Sequence, residues 1–170
     1  NKNGKPRVSI NQSGEGGWEF NFSHSRDVAI LALVRGEEVG IDVEYALKPM
    51  PDLYDVLQVV CRPAEVRTFQ TLPKAWHQQA FFKLWTIKEA YLKALGTGLS
   101  REPDTVHLKI VRGNDDVIMT FDASEERGWQ FITFEARPGY LATLAMQTEK
   151  KIEISRFRFS NCQETGSIGR

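Results

Sequence analysis

Residues 81–100 read FFKLWTIKEAYLKALGTGLS, and this stretch decides the fold. Phe81, Leu84, Trp85, Tyr91, Leu92 and Leu95 fall on one stripe at helical spacing. Gly96 stops the helix as a C-terminal cap, and Gly98 frees the backbone again. Lys88 sits in the middle of the apolar stripe, where an unpartnered ammonium is costly to bury. Glu89 and Lys93 lie one turn apart on the stripe's edge, so their heads can reach one place. A KExxxK stretch by itself is most often a solvated helix face, with Lys88 reaching water along its stem. The rest of the chain changes that reading.

Upstream, residues 39–44 read VGIDVE. Val39, Ile41 and Val43 point to one side of a strand, and Gly40, Asp42 and Glu44 to the other. The i, i+2 spacing sets the two carboxylates roughly 7 Å apart on one face. That suits two oxygen ligands for one hard cation such as Mg²⁺. Gly40 removes a side chain from the same face, where a ligand could approach the backbone. A DxE pair alone is more often the polar face of an amphipathic strand. With Glu89 brought from a packed helix, however, three carboxylates can meet one Mg²⁺, and neighbouring lysines would hold a polyphosphate. Ser23 and His24 add a hydroxyl and an imidazole suited to phosphate. A lone His24 is more often structural, because site roles rest on geometry.

The remaining elements follow from periodicity. Trp18, Phe20 and Phe22 alternate with polar residues as a strand, and Val28–Val34 is an apolar run expected as a buried strand. Asp52–Val60 has helical spacing, and Pro63 opens a short helix through Glu65, Val66 and Phe69. The long helix begins near Lys74 or Trp76. Val106–Ile110 and Val117–Phe121 form a hairpin about a Gly-Asn-Asp turn. Trp129–Ala136 and Leu141–Met146 are strands, and Ile152–Phe159 is expected as the last. This order predicts an α+β fold, a mostly antiparallel sheet packed against a long central helix.

The chain has 170 residues, 41% hydrophobic and 26% charged, enough for a packed core. Lys plus Arg and Asp plus Glu both number 22, so the formal net charge is zero. That argues against a general nucleic-acid binder, including a Mg²⁺-dependent nuclease. Two cysteines, Cys61 and Cys162, lack metal-ligand spacing and suit a reducing, cytoplasmic compartment. No apolar run reaches membrane-spanning length, so no membrane partner is expected.

Together these residues resemble a family. Gly40-Ile41-Asp42-Val43-Glu44, followed by Trp85-Thr86-Ile87-Lys88-Glu89-Ala90-Tyr91-Leu92-Lys93, is similar to the paired signature of the 4′-phosphopantetheinyl transferases. Asn21-Phe22-Ser23-His24-Ser25, Gly4-Lys5-Pro6 and Gly96–Ser100 resemble further motifs of the Sfp-type branch. The resemblance implies Mg²⁺-dependent transfer of the phosphopantetheine arm of coenzyme A to a serine of an acyl or peptidyl carrier protein, releasing 3′,5′-ADP. It implies Asp42, Glu44 and Glu89 as metal ligands, with Glu89 also accepting the serine proton. Lys93 would neutralise pyrophosphate oxygens and so share in catalysis. Lys5, Ser23 and His24 would bind the nucleotide's phosphate side, and Lys88 would reach phosphate or the carboxylates.

Sfp-type enzymes are pseudodimers with the coenzyme at the seam. By that template residues 1–35 are the end of an N-terminal half-domain and its linker. Residues 36–160 are the catalytic C-terminal half-domain, and residues 161–170 a disordered tail. Coenzyme A is then expected to bind this chain more weakly than a version extended at the N-terminus. The family often has an aromatic pair and a serine ahead of a glutamate after the DxE strand. Val60-Cys61-Arg62-Pro63-Ala64-Glu65 stands there instead, leaving Glu65 a weak site candidate. The alternative function is a half-domain that binds coenzyme A or a carrier protein without turnover.

Overall fold

The computed structural model describes residues 17–96, 101–114, 116–121 and 128–159. The motif around Lys5, residues 97–100 of the glycine turn and the expected tail at 161–170 lie outside the described residues. Strands β1 (Trp18–Ser25) and β2 (Val28–Arg35) form a hairpin, followed by β3 (Val39–Tyr45). Helices α1 (Leu53–Val60) and α2 (Pro63–Gln70) lead through a short 3₁₀ turn into α3 (His77–Leu95). Strands β4 (Leu108–Arg112), β5 (Val117–Phe121), β6 (Trp129–Arg137) and β7 (Tyr140–Gln147) complete the fold. Every strand pairing is antiparallel: β1 with β2, β4 with β5, and a three-stranded sheet in the order β3-β7-β6. The α+β class expected from the sequence is the one observed.

Helix α3 is buried on more than one stripe. Leu84, Lys88 and Leu92 are buried, and so are Thr86, Ile87, Ala90 and Ala94, whereas Leu95 reaches solvent. The sequence pattern named only one of its contacting faces. The second face lies against β3 and β7 through small residues, with Ala90, Ala94 and Ala145 in one cluster. On that face Thr86 and Thr143 share a buried hydroxyl–hydroxyl bond of 2.8 Å. Gly96 ends the helix in the left-handed region at φ 65°.

Gly40 is explained here, and differently from expectation. A Cβ at this position would stand 1.9 Å from the carbonyl oxygen of Ala90 and 2.6 Å from the backbone nitrogen of Ala94. The space beside Gly40 therefore belongs to helix α3 and not to a ligand. Both obstructing atoms are backbone, so relief requires the helix to move off the strand. Gly40→Ala is expected to destabilise the fold by about 3 kcal/mol, the upper end of the usual scale of overpacking. Urea denaturation of the variant checks this.

The hairpin β1–β2 has an amphipathic inner face. Asn21, Ser23 and Ser25 line one strand of it, and their cross-strand partners Ala32, Ile30 and Val28 line the other. The apolar row packs over Val39, Ile41, Val43, Leu144 and Met146. The polar row meets the edge of β3. Val28–Val34 is thus a half-exposed strand and not the fully buried one expected, for Leu31 and Leu33 are 60% and 56% exposed on the outer face. A continuous apolar run cannot reveal that one of its faces lies outward.

Residues 151–159 carry no strand, contrary to the alternation of Ile152, Ile154, Phe157 and Phe159. Ile152 packs beside the β3–β7 core and the Arg156 guanidinium lies 4.2 Å over the Phe134 ring, so side-chain contacts hold the segment. Among the described residues no helix is long and apolar enough to cross a membrane.

Candidate active site

The site is assembled where the polar row of β1, the carboxylate face of β3 and the edge of α3 meet. The N–H groups of Ile41, Val43 and Tyr45 point out of the β3 edge. They donate to Asn21 Oδ1 at 2.8 Å, Ser23 Oγ at 3.3 Å and Ser25 Oγ at 3.1 Å. Side chains of β1 thus stand in for a neighbouring strand's carbonyls and satisfy an otherwise open edge.

The two serine hydroxyls have one proton each, and both give it to a carboxylate. Ser23 donates to Asp42 Oδ1 at 3.0 Å, and Ser25 donates to Glu44 Oε2 at 3.0 Å. Lys93 Nζ donates to Asp42 Oδ1 at 2.6 Å and to Ser23 Oγ at 3.0 Å. Trp85 Nε1 donates to Glu44 Oε1 at 3.3 Å. Asp42 is buried, and its second oxygen, Oδ2, is enclosed without a hydrogen-bond partner. Such an atom calls for an explanation, for an orphaned buried acceptor carries a desolvation cost.

Electrostatics tie Glu89 to this cluster. Burial pushes the Glu89 carboxyl above its usual range, the Asp42 charge pushes it further and Glu44 adds to this, while Lys93 opposes them. The Asp42 carboxyl is also raised, first by burial and then against the pull of Lys93 and Ser23, with Glu44 again adding repulsion. Glu89 thus feels the charge of Asp42 and Glu44, and Asp42 that of Glu44, an arrangement that a hard divalent cation relieves. As they stand, no three His, Cys, Asp or Glu side chains among the described residues close around a common metal position. The all-oxygen donor set and the unpartnered Asp42 Oδ2 nevertheless fit a hard cation, and Lys93 supplies the counter-charge at Asp42 meanwhile.

Beside Glu44 opens a cleft of about 330 Å³ lined by Arg26, Lys48, Met50, Phe81, Phe82 and Trp85, among others. A lining of aromatic and aliphatic side chains with Arg26, Lys48 and one carboxylate is suited to an extended, partly apolar ligand.

Three expected residues lie elsewhere. Lys88 is fully buried and reaches neither water nor the carboxylate cluster. Its ammonium donates to Val60 O at 2.8 Å, Glu65 Oε2 at 3.0 Å and Pro103 O at 3.1 Å. Lys88 is thereby removed from the expected phosphate ligands. Glu65 is not a substrate group either. Its Oε2 also accepts from Arg62 N at 3.0 Å, and its Oε1 accepts from Leu108 N at 2.8 Å. The pair locks α1, α2, α3 and β4 together. His24 lies on the opposite face of β1 from Ser23, exposed and stacked on Phe22 with ring centroids 6.0 Å apart. It does not join the carboxylates.

Ser25 and Trp85 were not singled out from the sequence. The signal for Ser25 was present: Asn21, Ser23 and Ser25 repeat at the strand period, matching Asp42 and Glu44 on β3. Trp85 opens the signature quoted above, but its position on the apolar stripe predicts packing and not a bond to Glu44.

Comparison with known proteins gives a consistent picture. Residues 38–145 match the family model described as the 4′-phosphopantetheinyl transferase superfamily. The chain is 40% identical over 98 residues to the 4′-phosphopantetheinyl transferase HetI of Nostoc sp., covering 58% of this chain and 40% of that protein. It is 28% identical over 141 residues to the human L-aminoadipate-semialdehyde dehydrogenase-phosphopantetheinyl transferase, covering 75% and 46% respectively. Similarity to the 4′-phosphopantetheinyl transferase of Bacillus subtilis is 28% over 144 residues, covering 78% and 62%. The chain thus spans less than half the length of the first two of these relatives. Among solved structures, the holo-[acyl-carrier-protein] synthase of Thermotoga maritima aligns with a TM-score of 0.48 at 19% identity, covering 67% of this chain and 64% of that one. With the family model matched from just before β3 to within β7, a stretch that holds Asp42, Glu44, Glu89 and Lys93, this chain belongs to the 4′-phosphopantetheinyl transferase superfamily.

Proposed function

We propose that the chain carries the Mg²⁺-dependent transfer of 4′-phosphopantetheine from coenzyme A to a serine of an acyl or peptidyl carrier protein, in a cytoplasmic setting. The observation that carries this reading is the junction of Asp42, Glu44, Glu89 and Lys93 on two packed elements. In the reaction the serine oxygen bonds to the phosphorus that bears the pantetheine arm. The bond from that phosphorus to the bridging pyrophosphate oxygen breaks, and 3′,5′-ADP leaves. Such transfers depend on positioning and charge neutralisation more than on covalent help from the protein.

Asp42, Glu44 and Glu89 would hold the metal. Mg²⁺ bound there supplies positive charge against the pyrophosphate oxygens. Lys93 turns its ammonium from Asp42 toward a pyrophosphate oxygen when substrate is present, for it is partly exposed and long enough to serve both. Glu89 accepts the serine proton, directly or through one water. Ser23 orients Asp42. The family resemblance would assign Lys5, Ser23 and His24 to the nucleotide's phosphate side. Residues 36–160 form the catalytic half-domain, and the end of a preceding half, residues 1–35, lends the serines through its hairpin.

The test is mass spectrometry of an apo carrier protein incubated with this chain, coenzyme A and Mg²⁺. A gain of one phosphopantetheine that EDTA abolishes is expected, and no gain with a competent carrier refutes the reading. A second reading, binding without turnover, is motivated by the chain spanning under half of the first relatives' length. It predicts that coenzyme A or carrier binds while the carrier's mass stays unchanged.

A further inference from the structure

Glu44 differs from the other carboxylates of the cluster in how its oxygens are engaged. Oε2 accepts from Ser25 Oγ at 3.0 Å, and Oε1 accepts from Trp85 Nε1 at 3.3 Å. Two donors on two oxygens, from β1 and from α3, fix both the position and the plane of the group. Neither bond uses up an oxygen, since each carboxylate oxygen keeps a second acceptor site for a cation.

Both donors are themselves held by other contacts. Ser25 Oγ accepts the Tyr45 N–H at 3.1 Å, which leaves its single proton for Glu44. The Trp85 ring lies nearly parallel to that of Phe81, 6.5 Å between centroids and 11° between planes, and Phe81 is buried. Packing therefore aims the indole N–H at Glu44. A site whose supporting groups are locked by packing holds its geometry before the ligand arrives.

We propose that Trp85 and Ser25 are positioning residues that orient Glu44 for the metal. The inference rests on the metal site proposed above. Trp85 thereby joins three things: the apolar interior of α3, the wall of the cleft and the ligand geometry of β3.

Outer partners of metal ligands are worth about 10–100-fold in metal affinity. The experiment is a Mg²⁺ titration of the thermal shift at saturating coenzyme A, for wild type, Trp85→Phe, Ser25→Ala, Ser25→Thr and Glu44→Gln. Trp85→Phe keeps an aromatic ring beside Phe81 and removes the N–H donor together with part of the indole's volume, and the Ser25 pair controls for that volume. Its Mg²⁺ midpoint is expected to rise about 10–100-fold. Ser25→Ala should do the same and Ser25→Thr, which restores the hydroxyl, should return toward wild type. Transfer by Trp85→Phe should recover as Mg²⁺ is raised, a change in apparent KM for the metal and not in kcat. A merely structural Trp85 would lower the metal-free melting temperature and leave the midpoint in place, and that result overturns the proposal. If Trp85→Phe does not fold, the Ser25 pair decides alone, and equal midpoints for alanine and threonine overturn it. If wild type shows no Mg²⁺ response at all, the metal site itself falls and this inference with it. A wild-type response matched by every variant except Glu44→Gln refutes the positioning role only.

Discussion

Glu89→Gln is expected to lower transfer to the carrier protein by at least ~100-fold, the lower bound of what a positioned acid–base group contributes. The change keeps the side chain's shape and removes both the proposed metal-ligand charge and the proposed proton acceptor. The same variant carries a second, opposite expectation for stability. Burial and the Asp42 charge raise the Glu89 carboxyl in the folded state, so its ionised form is penalised there. Between the unfolded and folded pKa values the folded chain binds more protons, and stability falls as pH rises through that window. Above the window the penalty is complete. In EDTA at neutral pH, Glu89→Gln should therefore melt higher than wild type. The difference should vanish on acidification below the ordinary carboxylate range, where wild type carries the proton as well. Paired thermal melts across pH check the sign, and a variant that is both active and unchanged in stability would remove Glu89 from the site.

Lys88→Met is expected to cost about 3–5 kcal/mol, the scale of breaking a buried ion pair from one side. The loss arises from what remains. Glu65 is 2% exposed and would keep its backbone donors, Arg62 N and Leu108 N, but lose the only cation bonded to it among the described residues. Val60 O and Pro103 O would lose their donor as well. If Lys88 merely extended along an apolar stripe to water, the same change would be neutral or slightly stabilising. Urea denaturation separates the two. Pairing Lys88→Met with Glu65→Leu should recover part of the loss, because an apolar pair of similar volume removes the stranded charge.

These two neighbours on α3 show what a sequence discloses. The class of every strand and helix through β7 followed from periodicity, and so did the sidedness of β3. That Asp42, Glu44, Glu89 and Lys93 share one edge is legible because strand and helix periods each place them there, and the chemistry proposed for that edge comes from a resemblance. Lys88 was not, since helical spacing fixes a direction but not the partner found there. Its acceptors come from Val60, Glu65 and Pro103, up to 28 positions away in sequence. Gly40 misleads for a related reason: a missing side chain signals close approach, and only packing shows that the approaching group is α3. The outward face of β2 and the unpaired course of residues 151–159 depend on which elements lie alongside, and periodicity does not encode that.

The central claim is that Asp42, Glu44 and Glu89 form one metal site serving coenzyme A. A ligand that binds only the folded state stabilises it by mass action, roughly 2.7 kcal/mol at a hundredfold excess over its dissociation constant. The most direct measurement is the melting temperature of the chain with coenzyme A, in Mg²⁺ and in EDTA, for wild type and Asp42→Asn. The account predicts a higher melting temperature in Mg²⁺ for wild type and a smaller difference for Asp42→Asn. A wild-type melting temperature with coenzyme A that is the same in Mg²⁺ and EDTA near neutral pH would contradict it.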